Sequence, residues 1–316
     1  MKTIKIFLLI LTLLASPSYA HDLPNSWLPD SLDIRKAVPS DSTPPERITP
    51  IHVLPALSGD EGVIRRVKLS DDVKAAALTF DMCELDTVTT GCDMDVISFL
   101  HEHRIPATLF MGGKWMRTHS RRVKQIMTES ELFELANHNW SHGNCALLSP
   151  EGLKAQILWT QAQYELLREE LGSDDIPEAM TLFRLPYGRN SQRALKIIAE
   201  LGLRVIQWDV AAEAGDNSNP KRAARSAKLV ASMTKPGSIL LFHANYVPKG
   251  TVNLLREVVC ILESEGYVFV KVSDLLSMGE PETVRDGYFS RPKDNYALDK
   301  KFGIDGTGRR TRFTGE

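Results

Sequence analysis

The sequence has few cysteines, no excess of positive charge and, after its first twenty residues, no apolar run long enough to cross a membrane. Four cysteines in 316 residues are too few for a disulfide-stabilised scaffold. Lysine and arginine total 38 against 40 aspartates and glutamates, a net charge of −2, which argues against a nucleic-acid-binding protein. Since a membrane span needs about 20 apolar residues, we expect no membrane-spanning helix.

The N-terminus has the pattern of a secretory signal peptide. Two lysines occur in Met1–Lys5, and Ile6–Ala15 is apolar apart from Thr12. This run is about half the length of a membrane span, and it is followed by a small-x-small pattern that ends at Ala20. The sequence therefore predicts that residues 1–20 are removed and that the protein is exported, to the periplasm or outside the cell.

The segments that flank the middle of the chain differ from it in composition. Seven of the 17 prolines lie between Pro24 and Pro55, and proline removes a backbone donor and fixes φ, which disfavours long helices and central strands. We interpret residues 21–73 as an extended arm that wraps the main domain, anchored by Trp27 and Leu28; a disordered linker is the alternative. Residues 279–316 are predicted to form an irregular tail.

Over residues 74–278, short apolar runs alternate with longer helical patterns. The predicted strands are Ala75–Asp81, Ala107–Met111, Phe133–His138, Met180–Arg184, Arg204–Asp209, Ser238–His243 and Tyr267–Val272. The predicted helices are Asp93–His103, Lys114–Thr128, Pro150–Leu171, Ser191–Leu201, Lys221–Lys235 and Thr251–Gly266. Continuous apolar strands are typical of a parallel sheet covered on both faces. The pattern predicts an α/β fold, a seven-stranded and distorted TIM-like (β/α) barrel. An open doubly wound sheet is the alternative, although glycine-rich nucleotide-binding fingerprints are missing after every strand.

Polar residues end five of the predicted strands. They are Asp81, His138, Arg184, Asp209 and His243, and a second histidine, His142, follows His138 after four residues. All the carboxyl ends of the strands open onto one face of a βα barrel. We therefore expect these side chains to meet at one mouth.

The histidine pair and Asp81 are the residues in this set with the clearest chemistry. Histidines four residues apart can hold one metal ion, although such a pair alone is a weak signal. Burial would raise the pKa of Asp81, and an arginine partner such as Arg184 would lower it again, which suits a general base. A buried structural Asp–Arg pair, and histidines satisfied by backbone groups, are the alternatives.

Taken in order, these elements resemble the polysaccharide deacetylase (NodB-homology) family, carbohydrate esterase family four, over about residues 74–278. The resemblance is carried by Thr79-Phe80-Asp81, His138 with His142, Arg184-Leu185-Pro186-Tyr187-Gly188, Gln207-Trp208-Asp209-Val210 and Leu241-Phe242-His243. The first of these continues as Phe-Asp-Met-Cys-Glu, which is similar to one branch of the family.

The resemblance implies a role for each of these residues. Asp81 is expected to be the catalytic base, oriented by Arg184, and His243 the general acid. His138 and His142 are expected to bind a divalent metal, with zinc as the default. The backbone N–H of Tyr187 is expected to stabilise the oxyanion. The rings of Trp140, Trp208 and Tyr187 are candidates for stacking on sugars, although each is more commonly a core residue.

Two positions depart from the family pattern. The third metal ligand of the family is an aspartate directly after the base, and Met82 stands there, which is no ligand for such an ion. We favour Glu84 as its replacement, with the Cys83 thiolate or a water as alternatives. The carboxylate that tunes the general acid is replaced by Ala211. We expect Asp209, two residues before Ala211 and on the same strand face, to take over this role, with Glu213 and Asp216 as loop alternatives.

The resemblance implies an exported, metal-dependent hydrolase that converts N-acetyl groups of a glycan, or O-acetyl groups, to acetate. The partner would be an acetylated polysaccharide or oligosaccharide, with no nucleic acid and no membrane span. A glycan-binding protein without activity on the same fold is one alternative, supported by Met82. An amidohydrolase acting on a small C–N substrate is another.

The cysteines allow more than one pairing in an exported protein. A Cys92–Cys145 disulfide would leave Cys83 free near the site, and Cys83–Cys92 is the competing pair. We expect Cys260 to be a buried free thiol on the apolar face of a helix.

Overall fold

The computed structural model describes residues 25–34, 41, 43–57, 62–85 and 89–305. The predicted signal peptide, residues 1–20, lies outside the described residues. Among the described residues, no helix combines the length and the apolar character that a membrane crossing requires.

The strands form where the chain carries short apolar runs, and the longest of them is buried at every position. In chain order they are β1 (Val63–Lys68), β2 (Ala75–Met82), β3 (Ala107–Met111), β4 (Phe133–Asn137), β5 (Leu182–Phe183), β6 (Arg204–Val205), β7 (Val210–Ala211), β8 (Ile239–His243), β9 (Val268–Phe269) and β10 (Glu280–Val284).

The helices follow the strands, and their ends match local capping signals. The Ser149 hydroxyl accepts from the Gly152 N–H at 3.0 Å, Pro150 opens the helix, and Gly172 closes it in the left-handed region. In chain order the helices are α1 (Met94–Glu102), α2 (Gly113–Thr118), α3 (Ser120–Met127), α4 (Pro150–Leu171), α5 (Gln192–Glu200), α6 (Pro220–Met233), α7 (Thr251–Ser264), α8 (Val272–Ser277) and α9 (Tyr296–Phe302).

The strands pair in parallel in the order β6-β5-β4-β3-β2-β8-β7, and β9 pairs with the start of β2. The helices that connect these strands enclose one large apolar cluster and two smaller ones. The predicted α/β class and the curved, barrel-like parallel sheet are confirmed. The strand β2 lies in the middle of the sheet, so its carboxyl end is flanked by β3 and β8.

The segments before and after the predicted barrel contain regular structure that the sequence pattern did not indicate. β1 pairs antiparallel with β10, and single bridges join Ile64 to Ile206 and Arg66 to Ser238. These contacts place β1 across the gap between the two ends of the parallel sheet. The prediction of an irregular tail is therefore wrong over β10 and α9, and the arm contains a strand. The signal was weak because β10 is exposed, with a charged residue at each of two positions and a proline between them.

Several predicted boundaries also need correction. The predicted strand 204–209 contains only β6, which pairs with β5. The next strand, β7, begins one residue after the predicted range and pairs with β8 instead. The predicted helix 114–128 is two helices that meet at His119. The predicted strand 267–272 is only β9, and Val272 already begins α8.

The arm lies against the helices of the barrel. The Trp27 ring stacks on His101 with centroids 3.9 Å apart, and Asp33 forms a buried ion pair with Arg122 at 2.6 Å. Farther along, Glu165 accepts from the backbone N–H of Ile51 at 2.7 Å. The expectation that Leu28 is an anchor is wrong, because this side chain is 45% exposed.

Candidate active site

The carboxyl ends of β2, β4 and β8 place three titratable side chains at one mouth of the barrel. Asp81 is the register neighbour of His243 across the β2–β8 pair. His138 follows β4 directly, and its Nε2 lies 3.4 Å from Asp81 Oδ2. The structure therefore brings together the base candidate, the acid candidate and one metal-ligand candidate, as the placement of these residues at strand ends predicts.

Asp81 is held by a buried arginine. Arg184 Nη1 donates to Asp81 Oδ1 at 2.9 Å and to the Thr79 hydroxyl at 2.8 Å. Burial by itself would raise the pKa of Asp81, but its interactions with the His138 ring and with the Arg184 guanidinium outweigh this effect and lower the pKa. Asp81 is therefore ionised at neutral pH, and one of its oxygens is fixed in direction.

Arg184 is fully buried, and its other donors are used by backbone oxygens. Its Nε and Nη2 donate to the carbonyls of Ile206 and Gln207 at 3.3 and 3.2 Å. Its guanidinium lies 3.8 Å from the centroid of the Phe110 ring, a cation–π distance. Burial disfavours the charged guanidinium and therefore lowers the pKa of Arg184. The contacts above offset part of this cost.

The hydrogen bonds of His138 decide which of its nitrogens faces the mouth. Its Nδ1 lies 2.9 Å from the Arg184 carbonyl oxygen, which can only accept, so Nδ1 carries the proton. Nε2 is buried and has no hydrogen-bond partner among the described residues. Burial lowers the pKa of His138, despite the opposing effect of Asp81. The ring is therefore neutral, with a lone pair aimed at the mouth, as metal binding requires.

His142 is brought close to His138 by an unusual backbone. Its φ of 58° is in the left-handed region, so the pair does not lie on a helical turn as the four-residue spacing suggested. The two ring centroids are 4.9 Å apart. Burial and the neighbouring His138 place the pKa of His142 well below its usual value. Nδ1 of His142 has no hydrogen-bond partner within the described part of the chain.

Cys83 completes a group of three possible metal ligands with the histidines. One ligand atom from each of Cys83, His138 and His142 lies within 4.8 Å of the others. The prediction of Glu84 as the third ligand is wrong. One Glu84 carboxylate oxygen accepts from the Thr118 hydroxyl at 2.9 Å and the other from the Thr90 N–H at 3.1 Å. Glu84 therefore points away from the histidine pair, because side chains alternate in direction along the extended chain.

His243 is paired with a loop carboxylate. Its Nδ1 lies 2.7 Å from Glu213 Oε2, and the other Glu213 oxygen accepts from the Thr251 hydroxyl. Burial by itself would lower the pKa of His243, but the hydrogen bond and the charge of Glu213 outweigh it and raise this pKa. The side chain is 27% exposed. Glu213 therefore holds the position that the sequence analysis gave first to Asp209.

Asp209 lies just before β7, at the wrong end of that strand for this role. Its carboxylate accepts from the Ser238 hydroxyl at 2.8 Å and from the Ile239 N–H at 2.9 Å, at the start of β8. His243 ends the same strand four residues later. Burial raises the pKa of Asp209, and its hydrogen-bond partners are uncharged. The prediction that Asp209 tunes the acid is therefore wrong. Asp209 instead links two strands of the sheet.

The aromatic candidates for sugar stacking are buried. Trp140 is fully enclosed and packs edge-on against Trp159, and Trp208 is 2% exposed against Phe289. Neither ring can lie in an open groove, so their assignment as stacking platforms is wrong. Tyr187 has a φ of 60° and a ring stacked on Phe302, with centroids 5.1 Å apart.

An open cleft of about 790 Å³ lies over the mouth. Cys83, His142, Tyr187 and His243 form part of its floor. Tyr246 and Phe302 are aromatic members of its lining. No sequence pattern indicates Phe302 as a site residue, because α9 lies in a polar segment and carries no motif.

All four cysteines lie within the described residues, and all are free thiols. Neither predicted disulfide is present. Cys92 and Cys145 belong to different apolar clusters, so the barrel separates them. The expectation that Cys260 is buried is also wrong, because its side chain is exposed.

The chain is similar to known proteins over part of its length. Residues 68–206 match the family model described as polysaccharide deacetylase. The chain is 29% identical over 218 residues to the peptidoglycan-N-acetylglucosamine deacetylase PgdA of Listeria monocytogenes. That alignment covers 69% of this chain and 42% of the relative, so this chain corresponds to less than half of that protein.

Two solved structures show the same fold. A family 4 acetyl xylan esterase from Clostridium thermocellum, in complex with a cobalt ion, is 26% identical with a TM-score of 0.54. The match covers 69% of this chain and all of that one. A family 4 carbohydrate esterase pseudoenzyme from Bacillus anthracis is 21% identical with a TM-score of 0.53, over 68% of this chain and 69% of that one.

Proposed function

We propose that this chain is a polysaccharide deacetylase, like the family whose model matches residues 68–206, and that it hydrolyses N-acetyl groups of a glycan to acetate and a free amine. The observation that carries the proposal is the pairing of Asp81 with His243 on neighbouring strands. The pKa of the first is lowered and that of the second is raised. An ionised base beside a protonated acid at one pH is the arrangement that acid–base hydrolysis needs.

Asp81 would take a proton from the attacking water. Its Oδ1 is occupied by Arg184, which leaves Oδ2 on the side of His138 to accept that proton. Arg184 keeps the carboxylate ionised and fixes its direction, so it is a positioning residue for the base. General base catalysis of this kind contributes about 10²- to 10⁴-fold in rate.

The donor set beside Asp81 fits a divalent cation, because it consists of buried, neutral imidazoles with nitrogens that no described residue occupies. His138 and His142 would hold the ion. When bound, such an ion polarises a carbonyl oxygen and lowers the pKa of a coordinated water. We propose zinc as this ion, since zinc accepts nitrogen and sulfur ligands.

His243 would donate its proton to the leaving amine nitrogen. Glu213 raises the pKa of the ring through its contact with Nδ1, which favours the protonated form and leaves Nε2 to face the cleft. The backbone N–H of Tyr187 would stabilise the negative charge that develops on the acetyl oxygen. The left-handed backbone at Tyr187 supports this role, because it directs the peptide group in a way that a regular helix or strand does not.

The polysaccharide is proposed as a class only. A peptidoglycan, a chitin-like oligomer and an exopolysaccharide that contains N-acetylated sugars are all candidates, and an ester on a xylan would use the same residues with an easier leaving group. Export is proposed from the signal-peptide pattern of residues 1–20. The similarity to a deacetylase of the cell-wall polymer peptidoglycan agrees with export.

A glycan-binding protein without activity is the second candidate. Met82 stands where the family has a metal-ligating aspartate, and one solved neighbour of the fold is a pseudoenzyme. Against this candidate, the side chains proposed for catalysis and metal binding lie together at the mouth. They are Asp81, Arg184, His138, His142 and His243.

The test is acetate release by the full chain from N-acetylated chitooligosaccharides and peptidoglycan, with zinc and after chelation. We expect zinc-dependent release by the wild type and none by Asp81→Asn. If the folded protein binds these glycans but releases no acetate with any added metal, the glycan-binding function is correct instead.

A further inference from the structure

The three residues that follow Asp81 point in alternating directions. Met82 is fully buried in the large apolar cluster between the sheet and its helices. Cys83 returns to the face of Asp81 and lines the cleft, because side chains on the same face recur every two residues. The family's metal-ligating aspartate directly follows the base, at the position of Met82. In this chain the residue on the cleft side is instead Cys83, two residues after the base.

The backbone at Cys83 is held on both sides. Its carbonyl oxygen accepts from the Thr90 hydroxyl at 2.9 Å and from Asn245 Nδ2 at 3.0 Å. The next residue, Glu84, is anchored to Thr90 and Thr118. The two residues therefore have different roles. Glu84 holds the loop in place, and Cys83 places its sulfur at the mouth of the barrel.

One ligand atom of Cys83 and one ring nitrogen of each histidine lie within 4.8 Å of one another. Neither His138 Nε2 nor His142 Nδ1 has a hydrogen-bond partner within the described ranges. An orphaned polar atom in a buried position is costly, and a bound cation would satisfy it. Two imidazoles and a thiolate form the donor set that selects thiophilic ions such as zinc over ions that prefer oxygen.

We propose that Cys83 is the third protein ligand of the metal, as a thiolate, and that this chain therefore has a His₂Cys site. The thiol proton leaves to solvent as the metal–sulfur bond forms. The inference rests on the metal site of the proposed function and deepens it, because it specifies the class of ion that the site prefers. Glu84 is a positioning residue for this ligand.

Cobalt(II) provides a readout that does not depend on activity. The full chain is stripped with chelator and titrated with Co²⁺, and the near-ultraviolet absorption of sulfur-to-cobalt charge transfer is recorded. We expect a band that saturates at one ion per chain in the wild type and in the control Cys260→Ser, whose thiol is exposed on α7. Cys83→Ser should lose the band, whereas the Cys145→Ser variant, altered at a buried thiol near the site, should keep it.

A second measurement uses a folded variant with a carboxylate in the same place. Cys83→Asp should bind zinc but lower the preference for Cd²⁺ over Zn²⁺ by about 10- to 100-fold, since cadmium favours sulfur. A band that persists in Cys83→Ser, a wild type that binds Co²⁺ without a band, or an unchanged Cd²⁺/Zn²⁺ preference would each overturn the inference.

The two proposals fail in different ways. Acetate release by a wild type that binds Co²⁺ without a charge-transfer band would leave the deacetylase function standing and reject Cys83 as the ligand. A saturating band that Cys83→Ser abolishes, in a protein that releases no acetate, would reject the function and support the ligand.

Discussion

Asp81 and Asp209 lie in similar sequence contexts, but their pKa values shift in opposite directions. Each follows an apolar run and each is largely enclosed by the barrel. Asp81 bonds a buried arginine and its pKa is lowered, whereas Asp209 bonds a hydroxyl and a backbone N–H and its pKa is raised. A carboxylate at the end of an apolar run is therefore not by itself a catalytic signal. The charge of its partner decides whether it is an ionised base or a structural link.

Replacing Asp81 with Asn should have the largest effect on activity. The amide cannot accept a proton from water, so we expect kcat to fall by about 10³-fold or more while the protein stays folded. Initial rates of acetate release with zinc-loaded protein measure this loss. A residual rate within tenfold of the wild type would show that Asp81 is not the base.

Replacing Arg184 should cause the largest loss of stability. Arg184→Met leaves the Asp81 carboxylate buried without its partner, and we expect the free energy of unfolding to fall by about 3–5 kcal/mol. Ser238→Ala removes a neutral partner from Asp209 and should cost about 1 kcal/mol. Urea unfolding of both variants compares the two sites. Equal losses would mean that the charge of the partner does not matter.

Glu213→Gln should have an intermediate effect, on the pH profile. Glu213 raises the pKa of His243, so its loss lowers that pKa, and the protonated acid is lost at lower pH. We expect the alkaline limb of kcat/KM to move to lower pH, with a rate loss of about tenfold at neutral pH. The matched control is Asp216→Asn, an exposed carboxylate of the same loop, which should leave the profile unchanged.

Asp209→Asn should have the smallest effect. It touches neither His243 nor the cleft, so we expect kcat/KM to stay within about threefold of the wild type. The raised pKa of Asp209 means that its protonated form favours folding at low pH, and that this contribution is lost as pH rises through the folded-state pKa. The stability of the variant relative to the wild type should therefore rise between pH 4 and pH 8 in thermal or urea unfolding. A large loss of activity would show that Asp209 does take part in catalysis.

The fold could be predicted wherever local patterns agree with the final packing. The α4 boundaries, from Pro150 to Leu171, match the prediction at both ends because Ser149 and Gly172 are local caps. By contrast, the β1–β10 pair joins residues more than 200 positions apart, and neither strand carries a strong apolar run. Such a pair is stabilised by closure of the barrel, which no local window contains.

In the candidate site, too, some residues could be located from the sequence and others could not. Asp81, His138 and His243 were located from the ends of apolar strands, because the topology of a parallel sheet brings those ends together. Glu213 and Cys83 were only alternatives, since the direction of a side chain in a loop depends on the contacts of that loop. Trp140 and Trp208 were misassigned because an aromatic residue looks the same in a groove and in a core.

The sequence alone determined most strands of the parallel sheet, the family resemblance and the polar residues near five of the strand ends, because apolar periodicity and fixed motif spacing are local properties. Only the tertiary structure decided which carboxylate meets His243, which residue after Asp81 faces the histidines and which strand closes the barrel. These choices depend on distances of a few ångströms between segments far apart in the chain. Where these segments pack together, a buried charge needs a partner within hydrogen-bond distance, and only some side chains can reach the mouth.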